Sequence, residues 1–341
     1  MRRVARAITA TTPPLLLGAC SYQHYQSDFG NAAVQDSQFL TLFTIFLVVC
    51  GVMYLLVIGF LFVGMLRRRP EETDAVETGR HDQPNPAMRA TLIGWTALIG
   101  VGLFALAVAS FFADRSMAKA AGNEKLSINV TANQWWWDIQ YNSNDPSKTL
   151  RTANELHLPV GVPVRIALAS NDVIHSFWVP SLAGKQDLIP GRQTDITIVP
   201  KKIGIYRGPC AEFCGVQHAH MALVVDVDSY SDFIKWWDHQ LQPAPMPTTP
   251  LAMAGYKYVT SGPCSACHNI GGTPARGQIA PDLTHLASRR SIGAGAIPMS
   301  EGNLYGWVED PQSVKPGNHM PTIGLEPDQL HAVVAYLETL K

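Results

Sequence analysis

Two long apolar segments lie near the N-terminus and differ in pattern from everything that follows them. The first runs from Phe39 to Leu66 and the second from Thr91 to Phe112. Each is long enough to cross the roughly 30 Å hydrocarbon core of a lipid bilayer. A buried helix of a soluble protein is the alternative for each, but uninterrupted apolar runs of this length favour membrane spans. The pattern therefore predicts a transmembrane helix hairpin over residues 39–112.

The basic residues beside these two segments predict the orientation of the hairpin. The connection between the segments carries five arginines, which are Arg67, Arg68, Arg69, Arg80 and Arg89. The stretch from Ser21 to Gln38 has neither lysine nor arginine. Because basic loops stay on the cytoplasmic side, the N-terminus and the long C-terminal part are expected outside. This predicts a multi-pass protein of the bacterial inner (cell) membrane whose C-terminal part is periplasmic or extracellular.

After residue 123 the continuous apolar pattern gives way to alternation of apolar and polar residues. Three segments alternate in this way: Leu126–Val130, Val164–Leu168 and Thr194–Ile198. Short strands with period two, separated by turn residues, predict an antiparallel sandwich or barrel. We expect this all-β domain to span residues 123–241. Its last strand would cover Ala222–Val227, and a helix over Tyr230–Leu241 would follow.

A proline-rich stretch, Gln242–Pro250, predicts an extended linker, so a domain boundary falls there. Beyond it, residues 251–341 show helical patterns over Leu251–Thr260 and Leu304–Glu309. The last helix places apolar residues on one face with spacings of three and four, which are Leu330, Val333, Val334 and Leu337. Asp328 is the expected N-cap of that helix. The sequence thus predicts a small all-α domain at the C-terminus.

Composition agrees with several domains and excludes one class of partner. The chain has 341 residues and a net charge of -1, so it carries no electrostatic footprint for nucleic acid. Residues 1–20 begin with arginines and end in Leu17-Gly18-Ala19-Cys20. This stretch predicts a secretory signal that resembles a bacterial lipobox, with Cys20 as a lipidated N-terminus. An ordinary signal peptide and an unprocessed tail are the alternatives.

Four of the six cysteines form two close pairs, each with a histidine nearby, which indicates metal or cofactor attachment. In the first pair, Cys210 and Cys214 are followed by His218 and Met221. Thiolate, imidazole and thioether groups are the ligands that select copper among the common first-row metals. His175, further upstream, is a candidate to complete the set. A zinc half-site or two core thiols are the alternatives.

The second pair belongs to Cys264-Ser265-Ala266-Cys267-His268, the spacing of a c-type haem attachment site. In such a site both thiols bind the porphyrin edge covalently, and the adjoining histidine, His268 in this sequence, would bind the iron. Zinc binding or thioredoxin-like chemistry is the alternative. A downstream methionine would complete the iron coordination and raise the haem potential. Met320 is favoured over Met299, and His319 is a competing ligand.

These motifs resemble subunit II of cytochrome c oxidase. Two further runs carry the resemblance, His175-Ser176-Phe177-Trp178-Val179-Pro180 and Ile189-Pro190-Gly191-Arg192. The fused C-terminal domain makes nearly the whole chain similar to a caa3-type subunit. The resemblance implies a two-helix hairpin, a cupredoxin-like sandwich with the dinuclear copper centre CuA, and a class I cytochrome c domain.

The family's ligand roles carry over to matching positions of this sequence. Bridging thiolates would be Cys210 and Cys214, and the remaining CuA ligands would be His175, His218, Met221 and the main-chain carbonyl of Glu212. The Glu212 side chain would also bind magnesium at the border with subunit I. His220 matches no ligand of the family, and His157 is interpreted as structural.

Three adjacent tryptophans, Trp135, Trp136 and Trp137, cannot all share one face of a strand; the first and third would lie together. Core packing is one interpretation. In the family an aromatic residue at Trp135 lies on the surface over CuA and receives electrons.

The sequence departs from the family pattern at two positions. Trp136 replaces a usual tyrosine, and Leu92 lies where the family commonly has a glutamate linked to proton uptake.

The resemblance implies an electron relay. A soluble or membrane-bound cytochrome c, or a bc1 complex, would reduce haem c, which would reduce CuA. CuA would pass electrons to haem a of subunit I, whose a3–CuB site reduces oxygen to water while protons are pumped; subunit III is a further expected partner. The alternatives are a CuA-containing nitric oxide reductase subunit, a quinol oxidase subunit II and a free-standing carrier. The intact copper ligands disfavour the quinol oxidase, and the two spans disfavour the carrier.

Overall fold

The computed structural model describes residues 26–67, 86–120 and 124–341, with side chains of the second range described through Arg115. The predicted signal at 1–20, including Cys20, lies outside these residues. Helix α1 covers Val34–Leu66 and α2 covers Pro86–Ala120. Their most apolar windows have mean hydropathies of 2.9 and 2.2, and none of either window is buried by the chain itself. The prediction of two apolar helices is confirmed, and each starts five residues earlier than expected.

Ten strands build the middle domain. They are β1 Leu126–Asn133, β2 Trp136–Asn142, β3 Leu150–Ala153, β4 Glu155–Pro159, β5 Val164–Ser170, β6 His175–Val179, β7 Ala183–Leu188, β8 Thr194–Ile198, β9 Gly204–Pro209 and β10 Ala222–Asp228. One sheet has the order β3-β2-β1-β5-β8, another has β4-β10-β9, and β6 pairs with β7. The core between them includes Trp137, Phe177 and Leu156, all fully buried. The predicted β-sandwich is confirmed.

The expectation that this sandwich is antiparallel throughout is wrong for two strand pairs. β1 pairs with β5 in parallel, with Leu126 opposite Val164, and β10 pairs with β4 in parallel. The alternating pattern fixes which side chains face the core, because successive residues of a strand point to opposite faces. It contains no information about the direction of the neighbouring strand.

Helix α3, Tyr230–Gln240, closes the sandwich and begins at Ser229, whose hydroxyl accepts a hydrogen bond from Asp232 N. Such a cap satisfies one of the free N–H groups of the first turn. The Trp236 ring of α3 stacks on His157 of β4, with ring centroids 4.1 Å apart. This stacking contact packs the helix against the sheet, and the chain continues from the helix into the last domain.

The C-terminal domain is helical, as predicted, apart from one short hairpin. Its helices are α4 Pro250–Ser261, α5 Glu301–Glu309, α6 Pro311–Val314 and α7 Pro327–Leu337, and its hairpin pairs β11 Ser291–Ile292 with β12 Ile297–Pro298. α4 and α7 cross at Gly255, where a Cβ atom would lie 1.9 Å from Ala332 O. The crossing therefore requires glycine.

The expected cap of the last helix is wrong by two residues. The N-cap is Glu326, whose N–H donates to Gln329 Oε1 at 3.1 Å, and Asp328 lies inside the first turn. Pro327 occupies the first helical position, where its missing N–H costs nothing. The proline therefore marks the first residue of the helix, and the cap is the residue before it.

Candidate copper centre and haem attachment site

The segment from Cys210 to Met221 connects β9 to β10 and is the candidate copper loop. Cys210 N donates to Met221 O at 2.8 Å and closes the base of the loop. Ala211 N donates to Ser176 O at 3.0 Å and joins the loop to β6, at whose start His175 lies. These main-chain bonds place His175 beside the loop, although 35 residues separate it from Cys210.

The sulfur and imidazole groups predicted from the sequence converge in this loop. Cys210 Sγ lies 3.9 Å from Cys214 Sγ and 3.9 Å from His175 Nδ1. Cys214 Sγ lies 3.5 Å from His218 Nδ1 and 3.9 Å from Met221 Sδ. His175, both cysteines and Met221 are buried in the core of the sandwich, and His218 is half-buried. The arrangement is a compact, largely buried set of soft donors.

The spacing of the two sulfurs indicates how this set can be used. A separation of 3.9 Å is far longer than the roughly 2.05 Å of a disulfide bond. Two thiolates that share one tetrahedral ion, with metal–sulfur bonds of about 2.3 Å, lie about 3.8 Å apart, so the observed separation is that of thiolates able to share a metal. Glu212 O lies 3.4 Å from Cys210 Sγ and adds an oxygen donor at the rim. The donor set therefore fits metal coordination that involves both sulfurs.

Asp172 orients His175, and the sequence analysis missed this residue. Asp172 Oδ1 lies 2.8 Å from His175 Nε2, so the opposite nitrogen, Nδ1, faces Cys210. Burial opposes the imidazolium form, but Cys210 and Asp172 outweigh burial and raise the pKa of His175. A carboxylate behind a metal-binding histidine fixes its tautomer and ring orientation. An acidic residue three positions before the histidine was the available signal.

The two thiols have different acidities because they lie so close together. Cys214, followed by His175 and the main chain, lowers the pKa of Cys210 to about 3 against the opposing effect of burial. Cys210 and burial raise the pKa of Cys214. Thiolate is the form that binds metals, so the lowered pKa of Cys210 favours metal binding.

Trp135 lies against the loop but is not on the surface. Its Nε1 donates to Cys214 O at 2.9 Å, and Gln134 Nε2 donates to the same oxygen at 2.8 Å. A Cβ atom at Gly215 would lie 2.9 Å from the Trp135 ring, so the close approach requires glycine. Trp135 is only 7% exposed, and Lys315 and His319 of the C-terminal domain lie beside it. This differs from the expected surface position.

The other two tryptophans follow the predicted alternation. Trp137 is fully buried, with its ring edge-on to His175 at 6.3 Å, and Trp136 is half-buried. His220 is exposed and its Nδ1 lies 2.8 Å from Gln217 Oε1. The structure therefore places His220 outside the sulfur-rich set, as expected.

A second group of potential metal ligands is formed by Glu155, His157 and Asp226, whose ligand atoms lie within 4.8 Å of one another. Arg290 from the C-terminal domain reaches this group, with Nε 3.1 Å from Asp226 Oδ2, and its N–H donates to Glu155 Oε1. His157 Nδ1 lies 2.7 Å from Asp228. Because the arginine already compensates the carboxylates, we interpret this group as structural.

The haem attachment motif lies directly after α4. Cys264 and Cys267 are half-buried free thiols, and His268 N donates to Cys264 O at 3.0 Å. His268 Nδ1 lies 2.7 Å from Pro281 O and can donate to it, which leaves Nε2 as the nitrogen available to iron. A Cβ atom at Gly277 would lie 2.3 Å from the Cys267 carbonyl carbon. The fixed histidine tautomer and the free thiols fit covalent haem.

Three residues were candidates for the second iron ligand, and they occupy different places. Met320 lies in a loop shaped by Gln312, whose Nε2 donates to Met320 O at 2.8 Å. Met299 packs against the helical core, and its N–H donates to Arg290 O at 2.9 Å. The His319 ring lies 6.0 Å from that of Trp135. His319 is therefore directed toward the copper-loop side of the domain.

Comparison with known proteins agrees with this two-part organisation. Residues 126–228 match the family described as cytochrome c oxidase subunit II, periplasmic domain, and residues 252–341 match cytochrome c. A protein of Alkalihalophilus pseudofirmus named cytochrome c oxidase subunit 2 is 31% identical over 83% of this chain and 81% of its own length. The chain belongs to the cytochrome c oxidase subunit 2 family.

Two further members of the subunit 2 family support this assignment. The protein of that name from Bacillus sp. PS3 is 34% identical over 72% of this chain and 73% of its own length. The Bacillus subtilis protein is 28% identical over 96% of this chain and 95% of its own length. The similarity thus extends over the hairpin, the sandwich and the helical domain together.

Proposed function

We propose that this chain is the electron-input subunit of a haem–copper terminal oxidase of the caa3 type. The observation that carries the proposal is the convergence of Cys210, Cys214 and His175 in one buried cluster, with a haem attachment domain packed directly on it. Family membership supplies the reaction class, which is oxygen reduction by the complex. The part of this chain is to receive electrons at haem c and pass them on through copper.

The sulfur-rich set would hold CuA. Cys210 and Cys214 would bridge both coppers, and His175 and His218 would each bind one. Met221 Sδ and Glu212 O would be weak ligands. When bound, the pair carries one electron at a time. The chain keeps the ligands inside the sandwich core, where few water molecules need to reorient, and Asp172 keeps the His175 ring in place.

The C-terminal motif would hold haem c. Cys264 and Cys267 would bind the porphyrin covalently, His268 Nε2 would bind the iron, and Met320 Sδ would bind on the other face. The rigid loop that holds the Met320 main chain supports this choice, because Met299 is packed into the helical core instead. A thioether ligand would raise the haem potential. Tethering replaces a diffusional encounter by a high effective concentration of donor.

The partners follow from the same proposal. The exposed apolar faces of α1 and α2, such as Leu55 and Phe104, would contact lipid, subunit I and subunit III. CuA would reduce haem a of subunit I, and the Glu212 carboxylate would bind magnesium at that border. A cytochrome c or a bc1 complex would reduce haem c. We place the N-terminus and both large domains on the periplasmic side, as the basic connection between the spans indicates.

The test is a metal and haem analysis of the purified complex that contains the full-length chain. We expect two coppers and one covalent haem c for this subunit, together with oxygen consumption driven by reduced cytochrome c. Nitric oxide consumption without oxygen consumption would replace the proposal by the nitric oxide reductase alternative. A chain without copper would overturn the ligand assignment.

A further inference from the structure

The helical domain packs against the copper loop. Lys315 precedes the loop that carries Met320, and its side chain crosses into the sandwich. Its ammonium donates to Trp135 O at 2.8 Å, to His220 O at 2.8 Å and to Gly293 O at 2.7 Å. Lys315 is 2% exposed. One side chain therefore joins the turn at Gln134 and Trp135, the copper loop and the helical domain.

Further contacts surround this lysine at the same interface. Gln217 Nε2, from the copper loop, donates to Pro316 O at 2.7 Å, and Ala222 N donates to Ala294 O at 2.9 Å. A Cβ atom at Gly317, which has a φ of +81°, would lie 3.2 Å from Val216 Cγ2. The 315–320 loop thus lies directly on the loop of Cys214.

A second patch joins the two domains at Arg290 and Arg151. Arg290 binds the Asp226 carboxylate through Nε and Nη2 at 3.1 and 3.2 Å. Arg151 Nη2 donates to Gln278 O at 3.0 Å. This patch contains none of the residues assigned to copper or haem, so it can be altered independently of them.

The ammonium group of Lys315 has all of its hydrogen-bond donors satisfied. All three acceptors are main-chain carbonyls, and together they match the three N–H donors of an ammonium group. Burial lowers the pKa of Lys315 to about 7, and the nearby Cys214 opposes this effect. Burying such a group is costly unless its hydrogen bonds are all made. Loss of the side chain would leave three carbonyls unpaired at the interface.

We propose that Lys315 is a positioning residue that holds the haem domain over Trp135, so that external donors reach copper only through the tethered haem. The proposal rests on the proposed function and distinguishes two routes of electron entry. One runs through the tethered haem c, and the other runs directly from a soluble donor to copper. The Trp135 indole donates to Cys214 O, its ring centroid lies 6.0 Å from that of His319, and the residue is only 7% exposed. Each transfer moves one electron between centres and breaks no bond, so the relative position of the domains controls its rate.

The test uses the Lys315→Met variant of the full-length chain in its complex. We expect electron transfer from haem c to copper to slow by about 10-fold or more, since the tethered donor loses its effective concentration. Direct reduction of copper by an added soluble mono-haem cytochrome c, followed in rapid mixing, should become faster. A lysine with a merely structural role would not move these two rates in opposite directions.

A readout independent of electron transfer is hydrogen exchange measured by mass spectrometry. The Ala222 amide bonds to Ala294 across the interface, so the peptide that contains Ala222 should exchange faster in Lys315→Met. Arg290→Met opens the second patch without touching the 315–320 loop and should change the same two rates in the same directions. Lys235→Met, at a 76% exposed lysine of α3, is the matched control and should change nothing.

Several results would overturn the proposal. Unchanged rates and unchanged exchange in Lys315→Met would show that the lysine does not hold the domains together. A fall of both rates with altered copper or haem spectra would show that it acts by shaping the ligand loops. Failure of the proposed function itself would look different, because the unaltered protein would then lack copper or haem.

Discussion

Asp172 Oδ1 lies 2.8 Å from His175 Nε2, and this contact directs the other imidazole nitrogen toward Cys210. The same carboxylate accepts a hydrogen bond from Gln134 N at 2.6 Å through Oδ2. Asp172 therefore joins the proposed copper ligand to the turn that carries Trp135. It acts on the site through another residue and without contacting the sulfurs.

Asp172→Asn should weaken copper binding by about 10- to 100-fold, as is usual when the partner of a metal-bound histidine is changed. The neutral amide still fits the space but no longer stabilises the N–H of His175 with a full charge. A copper competition titration followed by electron paramagnetic resonance measures the effect. Asp195→Asn is the control, because Asp195 is half-exposed and pairs with Arg165 at 3.4 Å on the same domain. Equal affinity in both variants would remove Asp172 from the site.

Cys210→Ser should abolish the spectrum of a dinuclear copper centre and leave haem c attached. A serine oxygen is a harder and less acidic ligand than the Cys210 thiolate, whose pKa is lowered to about 3. Optical spectra and metal analysis of the same sample report both cofactors. Cys50→Ser, at the exposed cysteine of α1, is the matched control and should keep the copper signal. A normal signal in the first variant would contradict the ligand assignment.

Met320→Ala should keep the covalent haem but change its axial ligation and lower its reduction potential, because the thioether ligand is lost. Redox titration and the optical spectrum of the ferric haem provide the measurement. Met299→Ala is the control and should leave both unchanged, since Met299 packs against the helical core. If the two variants behave in the opposite way, Met299 is the ligand. If neither changes the ligation, His319 becomes the candidate.

Gly255→Ala should destabilise the haem domain by at least about 1–3 kcal/mol, the usual cost of overpacking a well-packed contact. The added methyl group would lie 1.9 Å from Ala332 O, which is main chain and cannot rotate away. Thermal unfolding followed by circular dichroism would show a lower transition temperature for this domain. Gly302→Ala in α5 has open space around the new methyl group and should be neutral or slightly stabilising.

The parts of the site that the sequence predicted are those encoded by local spacing. Cys210, Cys214, His218 and Met221 lie within one short loop, and Cys264 to His268 within one turn, so chain connectivity alone keeps each set together. His175 was only a candidate until the family resemblance assigned it a ligand role, because 35 residues separate it from Cys210. The two apolar helices could be predicted equally well, since the length of a hydrophobic run is a property of one continuous segment.

Other features were predicted incompletely because they depend on neighbours that a local pattern does not specify. The parallel pairing of β1 with β5 was missed since alternation sets faces and not strand directions. Trp135 was expected at the surface, as in a sandwich by itself, but it is buried, and Lys315 and His319 of the helical domain lie beside it. Asp328 was expected as a cap from its residue type, whereas Pro327 fixed the start of the helix.

By itself, then, the sequence determined the hairpin, the sandwich, the helical domain and most of the candidate ligand residues. Only the tertiary structure decided that the two domains pack on one another and that Lys315 and Arg290 hold them there. Lys315 and Trp135 are 180 residues apart in the chain. Contacts over such a distance leave no periodicity or spacing in the sequence, because they arise from the shapes of two surfaces that exist only after each domain has folded.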